Sequence, residues 1–170
     1  LREIASLSMP LMISTLSASF MLFMDKIILA RYSSEAMNAV VSIGMLVSLF
    51  QFGAAAITSI AEIFVGQHNG AKQYKQVGET VWQMLWFALF TSVAFVPLAL
   101  FGGKLLIPAN YYEIGLPYYQ MMMGFCFIYP AYCALVAFYV GRGKMHLIMG
   151  LAIGANLINI LLDFALIQGI

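Results

Sequence analysis

Five long stretches without Asp, Glu, Lys or Arg dominate the pattern of this chain. They cover residues 4–24, 36–61, 80–103, 114–141 and 147–162. A transmembrane helix needs about 20 apolar residues to cross roughly 30 Å of hydrocarbon, and the last stretch reaches that length by including Asp163. Transmembrane β-strands are short and alternate apolar with polar positions, whereas these stretches are continuously apolar. The pattern therefore predicts an all-α polytopic membrane protein with about five transmembrane helices, at about residues 4–30, 36–66, 80–107, 114–141 and 146–168.

Composition supports a membrane location. Of the 170 residues, 63% are hydrophobic and 9% are charged, and the mean hydropathy is +0.93. Soluble domains carry roughly 25% charged residues, so we expect a lipid bilayer to surround this chain. The net charge of +1 and the lack of a basic patch interleaved with aromatic residues predict no nucleic-acid partner. Cys126 and Cys133 match no zinc or redox spacing, so we interpret them as packing residues and expect no cofactor.

The loop charges predict an orientation. Five cations fall on one side of a five-helix serpentine: Arg2, Lys72, Lys75, Arg142 and Lys144. Arg31 and Lys104 fall on the other side, with Lys26 near that second side. The positive-inside rule then places the N-terminus in the cytoplasm, and we expect the cytoplasmic membrane of a bacterium. The chain begins without Met and is still apolar at Ile170, so we expect an excerpt of a longer protein.

Two carboxylates interrupt the apolar spans, Asp25 in the first and Asp163 in the last. A charged side chain at membrane depth costs roughly 2.5–3.5 kcal/mol on insertion scales, so an acid there indicates an ion or proton site. Asn156 and Asn159 precede Asp163 by seven and four residues. At about 100° per residue, these three side chains fall within roughly 60° of one helix face. They form a polar stripe.

Four polar side chains make up the candidate site, which we call the polar cluster: Asp25, Asn156, Asn159 and Asp163. If the first and last helices face a common interior, the cluster would hold a proton and release it as the cavity is wetted. The same oxygens suit Na⁺, and the residues alone do not choose between the two ions. A structural alternative has Asp163 tie the last helix to a neighbour through hydrogen bonds.

Other side chains in the two helices modify this picture. Lys26 is a candidate modulator, since it could either neutralise Asp25 or extend to the outer interface. The hydroxyls of the first helix, Ser17 among them, are spread around it and support a polar lining only weakly. Gly150 and Gly154 form a GxxxG on the face opposite the stripe. We therefore expect the last helix to pack through its glycine face and to present its polar face to an interior.

Prolines inside the spans can kink or hinge them, because each removes a backbone donor. Pro10, Pro97 and Pro130 are three such prolines.

Several short motifs, in order along the chain, resemble the multidrug and toxic compound extrusion (MATE) transporter family. They are Met9-Pro10-Leu11, Phe23-Met24-Asp25, Val65-Gly66-Gln67 with Gly70-Ala71-Lys72, Gly141-Arg142-Gly143-Lys144 and Asn159-Ile160-Leu161-Leu162-Asp163. The resemblance runs over essentially the whole chain, and the combination and order of the motifs are more specific than any one of them.

The resemblance implies an antiporter that exports organic substrates, often cations, in exchange for H⁺ or Na⁺ by alternating access of two six-helix lobes. This chain would be most of the N-terminal lobe, with a small-molecule substrate and a second lobe of the same full-length chain as partners. By the resemblance, Asp25, Asn159 and Asp163 match positions of the coupling-cation site, including any Na⁺, whereas Asn156 rests on helical geometry alone. Lys26 departs from the family pattern, in which a small hydroxyl residue often follows the acid.

Three alternatives remain beside the antiporter. A lipid-linked sugar flippase of the same superfamily would carry several basic side chains in its lumen, whereas Lys26 is the basic residue close to a span interior. An enzyme is not expected, because His68 and His146 lie outside the spans and complete no catalytic motif. A structural membrane scaffold predicts that neutralising Asp163 alters stability and never ion dependence.

Overall fold

A computed structural model describes the backbone of residues 2–168 and the side chains of residues 8, 9, 12–31 and 33–166. Helices account for nearly all of this backbone, and the described residues include no strand. The α-helices are α1 (Arg2–Tyr32), α2 (Ser34–Ser59), α3 (Ala61–Gly70), α4 (Tyr74–Phe101), α5 (Gly103–Leu106), α6 (Tyr112–Gly124), α7 (Ile128–Val140) and α8 (Met145–Gln168), with a 3₁₀ turn at Ala109–Tyr111.

The described helices include four segments that are long and apolar enough to cross a membrane. They are Met12–Arg31, Ser34–Gly70, Tyr74–Phe101 and Met145–Leu166. A fifth span results if Ala109–Gly124 and Ile128–Val140, which are bent by 40° relative to each other, are counted as one. The predicted fold class is therefore confirmed, since the chain is an all-α polytopic membrane protein.

The fourth predicted span, 114–141, is not one straight helix. It breaks between α6 and α7, where the amide of Ile128 donates to the Phe125 carbonyl over 3.0 Å in a tighter turn. Pro130 explains the position of the break, because its ring clashes with the carbonyl four residues earlier, that of Cys126. By contrast, α1 and α4 continue through Pro10 and Pro97.

The second predicted span, 36–66, is also divided, at Ile60 between α2 and α3. The hydroxyls of Thr58 and Ser59 both donate to the carbonyl of Ala55, over 3.1 and 2.8 Å. Such bonds back to the preceding turn compete with the helical ladder and often bend a helix. Thr58 is fully buried, and this local bond satisfies its hydroxyl without a partner on another helix.

The chain divides into two compact units, residues 1–37 with 143–170 and residues 38–142. In the first unit, α1 packs along α8. In the second unit, the larger core joins α2, α4, α6 and the α6–α7 break, and its buried members include Ile43, Val47, Phe95, Ala99, Tyr119, Met123 and Cys126. The burial of Cys126 agrees with its interpretation as a packing residue.

A smaller core in the second unit fixes α3, α4 and α7 together. It consists of Val65, Val77 and Val81, with Leu85 and Phe138 packed against it. Gly141, directly after α7, lies against α3 so closely that an added Cβ would be 2.7 Å from Val65 Cγ1 and 2.8 Å from the Glu62 carbonyl oxygen. Only glycine permits this approach without a shift of the backbone, so Gly141 sets the position of the end of α7.

Candidate functional site

Two contacts between α1 and α8 show that these helices run parallel. Asn156 Nδ2 donates a hydrogen bond of 3.0 Å to Ser17 Oγ. Further along both helices, the side chain of Asp25 lies within hydrogen-bonding reach of Asp163. The contacts are eight residues apart on α1 and seven on α8, in the same chain direction. At about 1.5 Å of rise per residue, they lie about 10–12 Å apart along the helix pair.

The contact between Asp25 and Asp163 brings two acids together inside membrane spans. Both side chains are half-buried. Two ionised carboxylates at this separation repel each other strongly, so the arrangement is stable when a proton or a cation is shared between them. Oδ1 of Asp25 is buried and accepts no hydrogen bond from any described residue. That oxygen is available to a proton or a cation.

Asn159 contributes a second oxygen of the same kind. It lies one helical turn before Asp163, and its Oδ1 is buried without a hydrogen-bond partner among the described residues. Leaving a buried acceptor unsatisfied costs about 1–3 kcal/mol. Both unsatisfied atoms are acceptors, so a hydrogen-bond donor or a cation would satisfy them. Carboxylate and amide oxygens together form the ligand type that suits a hard cation.

All four residues of the polar cluster therefore belong to the packed pair of α1 and α8. Asn156 and Asp163 each reach a side chain of α1, and Asn159 lies on the same face of α8. Among the described side chains, no three His, Cys, Asp or Glu residues group into a metal site, so the oxygen donors here are two carboxylates and the Asn amides. The role of the cluster in ion binding stays a prediction.

Lys26 forms no salt bridge with the acids of the cluster. Its side chain is exposed, and no carboxylate among the described residues lies within 4 Å of its ammonium. The one ion pair between described side chains joins Lys75 and Glu79 over 3.8 Å. Of the two interpretations of Lys26, the geometry favours extension away from Asp25 over neutralisation. Its effect on the site as a modulator stays a prediction.

Within the pair of α1 and α8, the contact uses the polar face of α8, and the expected packing through the glycine face stays a prediction for another neighbour. A Cβ added at Gly150 or Gly154 would meet no described atom within 4 Å, whereas the polar face of α8 meets α1. Hydrogen bonds across helices explain the preference, because polar groups in an apolar surrounding gain from partners on a neighbouring helix. Ser17, which the sequence ranked as weak support, is the partner that Asn156 uses.

Comparison with known proteins identifies the family. The model of the MatE family matches residues 10–165, which is most of the chain. The chain belongs to the MatE family. This confirms the resemblance to multidrug and toxic compound extrusion transporters that the sequence motifs indicated. Family membership and the apolar spans together identify this MatE chain as an integral membrane protein.

A curated relative shows how much of a MatE transporter the chain represents. Multidrug resistance protein PmpM from Pseudomonas aeruginosa is 30% identical over 184 aligned positions, which cover 99% of this chain and 36% of PmpM. The chain thus spans about a third of the length of this relative. No solved structure matches the chain.

Proposed function

We propose that this MatE chain is most of the N-terminal lobe of a secondary active antiporter, which exports organic, often cationic, drug-like substrates in exchange for H⁺ or Na⁺. The full-length protein would reside in the cytoplasmic membrane of a bacterium, with its N-terminus in the cytoplasm and a second lobe completing the transport path. The observation that carries the proposal is the meeting of Asp25 and Asp163 between parallel helices, beside a buried and unsatisfied oxygen of Asn159.

Coupling follows from the chemistry of the acid pair. While the pair is shielded from water, Asp25 and Asp163 need a shared proton or cation to offset their repulsion. When the lobe opens to water, hydration stabilises both carboxylates and the ion is released. The ion therefore has different affinities for the two conformations, and a difference in affinity is the property that lets a ligand shift a conformational equilibrium.

Each member of the polar cluster has a separate task in this mechanism. The carboxylates of Asp25 and Asp163 and the amide oxygen of Asn159 hold the ion or proton. Asn156 acts as a positioning residue, because its hydrogen bond to Ser17 sets the axial position of α8 relative to α1. Both H⁺ and Na⁺ fit this donor set, and the transport assay below distinguishes them.

The substrate class is supported by the comparison with PmpM, whose name describes a multidrug resistance protein. The flippase alternative needs several cations in the lumen, yet the unit formed by α1 and α8 offers Lys26 near its acids, and Lys26 forms no salt bridge with them. The scaffold alternative explains a hydrogen-bonded helix pair, but it gives no reason for two acids to meet in a membrane. Rocking of two related lobes fits the way such transporters alternate access.

Efflux by the full-length protein in reconstituted vesicles tests the proposal. Na⁺ and pH gradients are imposed separately, and wild type is compared with Asp163→Asn. Glu79→Gln is the matched control, since it neutralises an exposed acid in α4 outside the cluster. Allosteric coupling energies correspond to factors of about 5 to 150. We therefore expect gradient-driven efflux by Asp163→Asn to be lower than that of wild type by a factor of about 5 to 150.

The pattern across gradients decides the outcome. Loss of efflux in Asp163→Asn with full efflux in Glu79→Gln supports the antiporter, and the gradient that drives wild type identifies the ion. Efflux that proceeds equally with or without either gradient excludes ion coupling. A folded Asp163→Asn variant with wild-type efflux and wild-type ion dependence returns Asp163 to a structural role.

A further inference from the structure

An apolar groove runs between α4 and α7 in the unit of residues 38–142. Val81, Trp82 and Leu85 line it from α4, and Leu135 and Phe138 line it from α7. The α4 residues recur at the helical spacing that forms one stripe, and so do those of α7. The groove has a volume of about 260 Å³. Whole small molecules occupy pockets of roughly 300–1,000 Å³, so this groove suits a slender apolar chain rather than a drug-sized compound.

The floor of the groove is well packed and its rim is open. The floor is the small core of Val65, Val77 and Val81, against which Leu85 and Phe138 pack. On the rim, Trp82 is 64% exposed and Leu135 is 49% exposed, so the described residues leave these walls uncovered. The groove is thus preformed, and it lies on a helical surface that is open to the bilayer or to a partner.

A positively charged group stands at one end of the groove. The guanidinium carbon of Arg142 lies 4.9 Å from the centre of the Phe138 ring, a cation–π contact that holds the side chain against the groove wall. No carboxylate among the described residues lies within 4 Å of Arg142. The ring covers one face of the guanidinium, and its N–H edge remains free to donate to an anion.

Charges on α4 near the same end do not cancel Arg142. Lys75 and Glu79 are exposed and form a loose pair of 3.8 Å, so their charges offset each other. Glu62 of α3 and Lys72 of the turn before α4 also offset each other, so Arg142 leaves this end with a net charge of +1, counting Glu62, Lys72, Lys75, Glu79 and Arg142. This is also the end that the positive-inside rule assigns to the cytoplasm. The exposed indole of Trp82 has the character of a side chain at a membrane interface.

We propose that this groove binds an anionic phospholipid, with one acyl chain between α4 and α7 and the phosphate on Arg142. An acyl chain matches the narrow apolar channel, and the phosphate matches a guanidinium that no described carboxylate neutralises. Basic sites between transmembrane helices on the cytoplasmic side bind anionic head groups in this way. The site lies within the second unit, so it stands independently of the ion-coupling proposal.

Lipid retention by the full-length protein tests the site. The protein is purified in detergent and exposed to phosphatidylglycerol or to phosphatidylcholine with the same acyl chains, and bound lipid is counted by native mass spectrometry. Arg142→Gln removes the head-group contact, and Leu135→Trp fills the groove. The matched controls are Lys104→Gln, which removes a cation in α5, just beyond the opposite end of α4, and Leu49→Trp, which enlarges an exposed leucine of α2 outside the groove.

We expect wild type to retain phosphatidylglycerol over phosphatidylcholine, and Arg142→Gln to lower that preference about fivefold, the effect of one interfacial cation. Leu135→Trp should reduce retention of both lipids, while the two controls behave as wild type. Equal retention of the two lipids by wild type overturns the proposal. It is also overturned if Arg142→Gln matches Lys104→Gln, or if Leu135→Trp leaves the amount of bound lipid unchanged, as it would if a second copy of the chain occupied the groove.

A second measurement uses the wild-type protein, so its outcome does not depend on whether a variant folds. Phosphatidylglycerol with a photoactivatable acyl chain is cross-linked to wild type in vesicles, and the labelled peptides are identified. Labelling concentrated in residues 78–85 and 135–142 supports the groove. Labelling spread over all lipid-facing helices in proportion to their exposure contradicts it.

Discussion

Asn156 donates a hydrogen bond to Ser17 over 3.0 Å, joining residues that are 139 positions apart in the chain. This bond lies about 10–12 Å along the helix pair from the contact between Asp25 and Asp163. A hydrogen bond at that distance fixes the axial position of α8 relative to α1. The two acids meet at one such axial position only.

We expect the Asn156 and Ser17 side chains to be energetically coupled. Asn156→Ala and Ser17→Ala should each reduce stability, and the double variant should cost less than the sum of the two. Hydrogen bonds between membrane helices average about 0.6 kcal/mol, so the interaction energy should be close to that value. Unfolding of the four proteins of the double-mutant cycle in detergent measures it, with Ser14→Ala as the control on α1. Strict additivity would show that the bond contributes nothing.

Ion-dependent stability should report directly on the acid pair. Wild-type protein should melt at a higher temperature when Na⁺ is added or the pH is lowered, because the shared cation or proton binds the folded state more tightly than the unfolded state. Asp25→Asn and Asp163→Asn each remove the repulsion between the two carboxylates. In these variants, Na⁺ or a lower pH should no longer raise the melting temperature. At 100 times the dissociation constant, a bound ion contributes about 2.7 kcal/mol.

Differential scanning fluorimetry across Na⁺ concentration and pH checks this prediction, with choline replacing Na⁺ to hold ionic strength constant. A stabilisation that persists undiminished in both asparagine variants would assign the effect to another site.

Lys26→Gln should leave ion-coupled efflux within about twofold of wild type, because the exposed ammonium is not paired with Asp25. Charges at a distance across a water-exposed surface interact weakly and are screened by salt. Efflux driven by the effective gradient measures the outcome, with Asp25→Asn in the same experiment as the variant that loses coupling. A change in Lys26→Gln as large as that in Asp25→Asn would establish Lys26 as part of the site.

Gly141→Ala should destabilise the packing of α7 on α3. The new Cβ would press on Val65 and on the backbone carbonyl of Glu62, and backbone cannot move aside as a side chain does. Overpacking of this type costs typically about 1–3 kcal/mol. Gly53→Ala is the matched control, because its Cβ meets nothing within 4 Å and alanine favours a helix by up to about 1 kcal/mol. In thermal unfolding, the melting temperature should therefore fall in Gly141→Ala and rise in Gly53→Ala.

Periodicity identified the polar face of α8 correctly. Asn156, Asn159 and Asp163 share one face by a simple count along the chain, and two of them contact α1. The partner on α1 was harder to predict, because Ser17 is one of several hydroxyls spread around its helix. Which hydroxyl is used depends on the relative position of two helices that are distant in sequence, and no local pattern encodes that position.

The positions of the two helix breaks are also only partly predictable from the sequence. Pro130 signalled a kink, and its physical effect falls on the carbonyl one turn earlier, which places the break before the proline. At Ile60 no proline or glycine marks the break, and Thr58 and Ser59 are compatible with an uninterrupted helix. Both of their hydroxyls use the same acceptor, the carbonyl of Ala55. Sequence alone does not reveal that choice.

The parallel pairing of α1 with α8 has a consequence for biosynthesis. Ribosomes add about 5–20 residues per second, so Asn156 emerges roughly 7–28 s after Ser17, 139 residues earlier. During that interval the first helix has left the ribosome while its partner does not yet exist. Asp25 is therefore without Asp163, and without the proton or cation that the two acids would share, until the fifth span arrives.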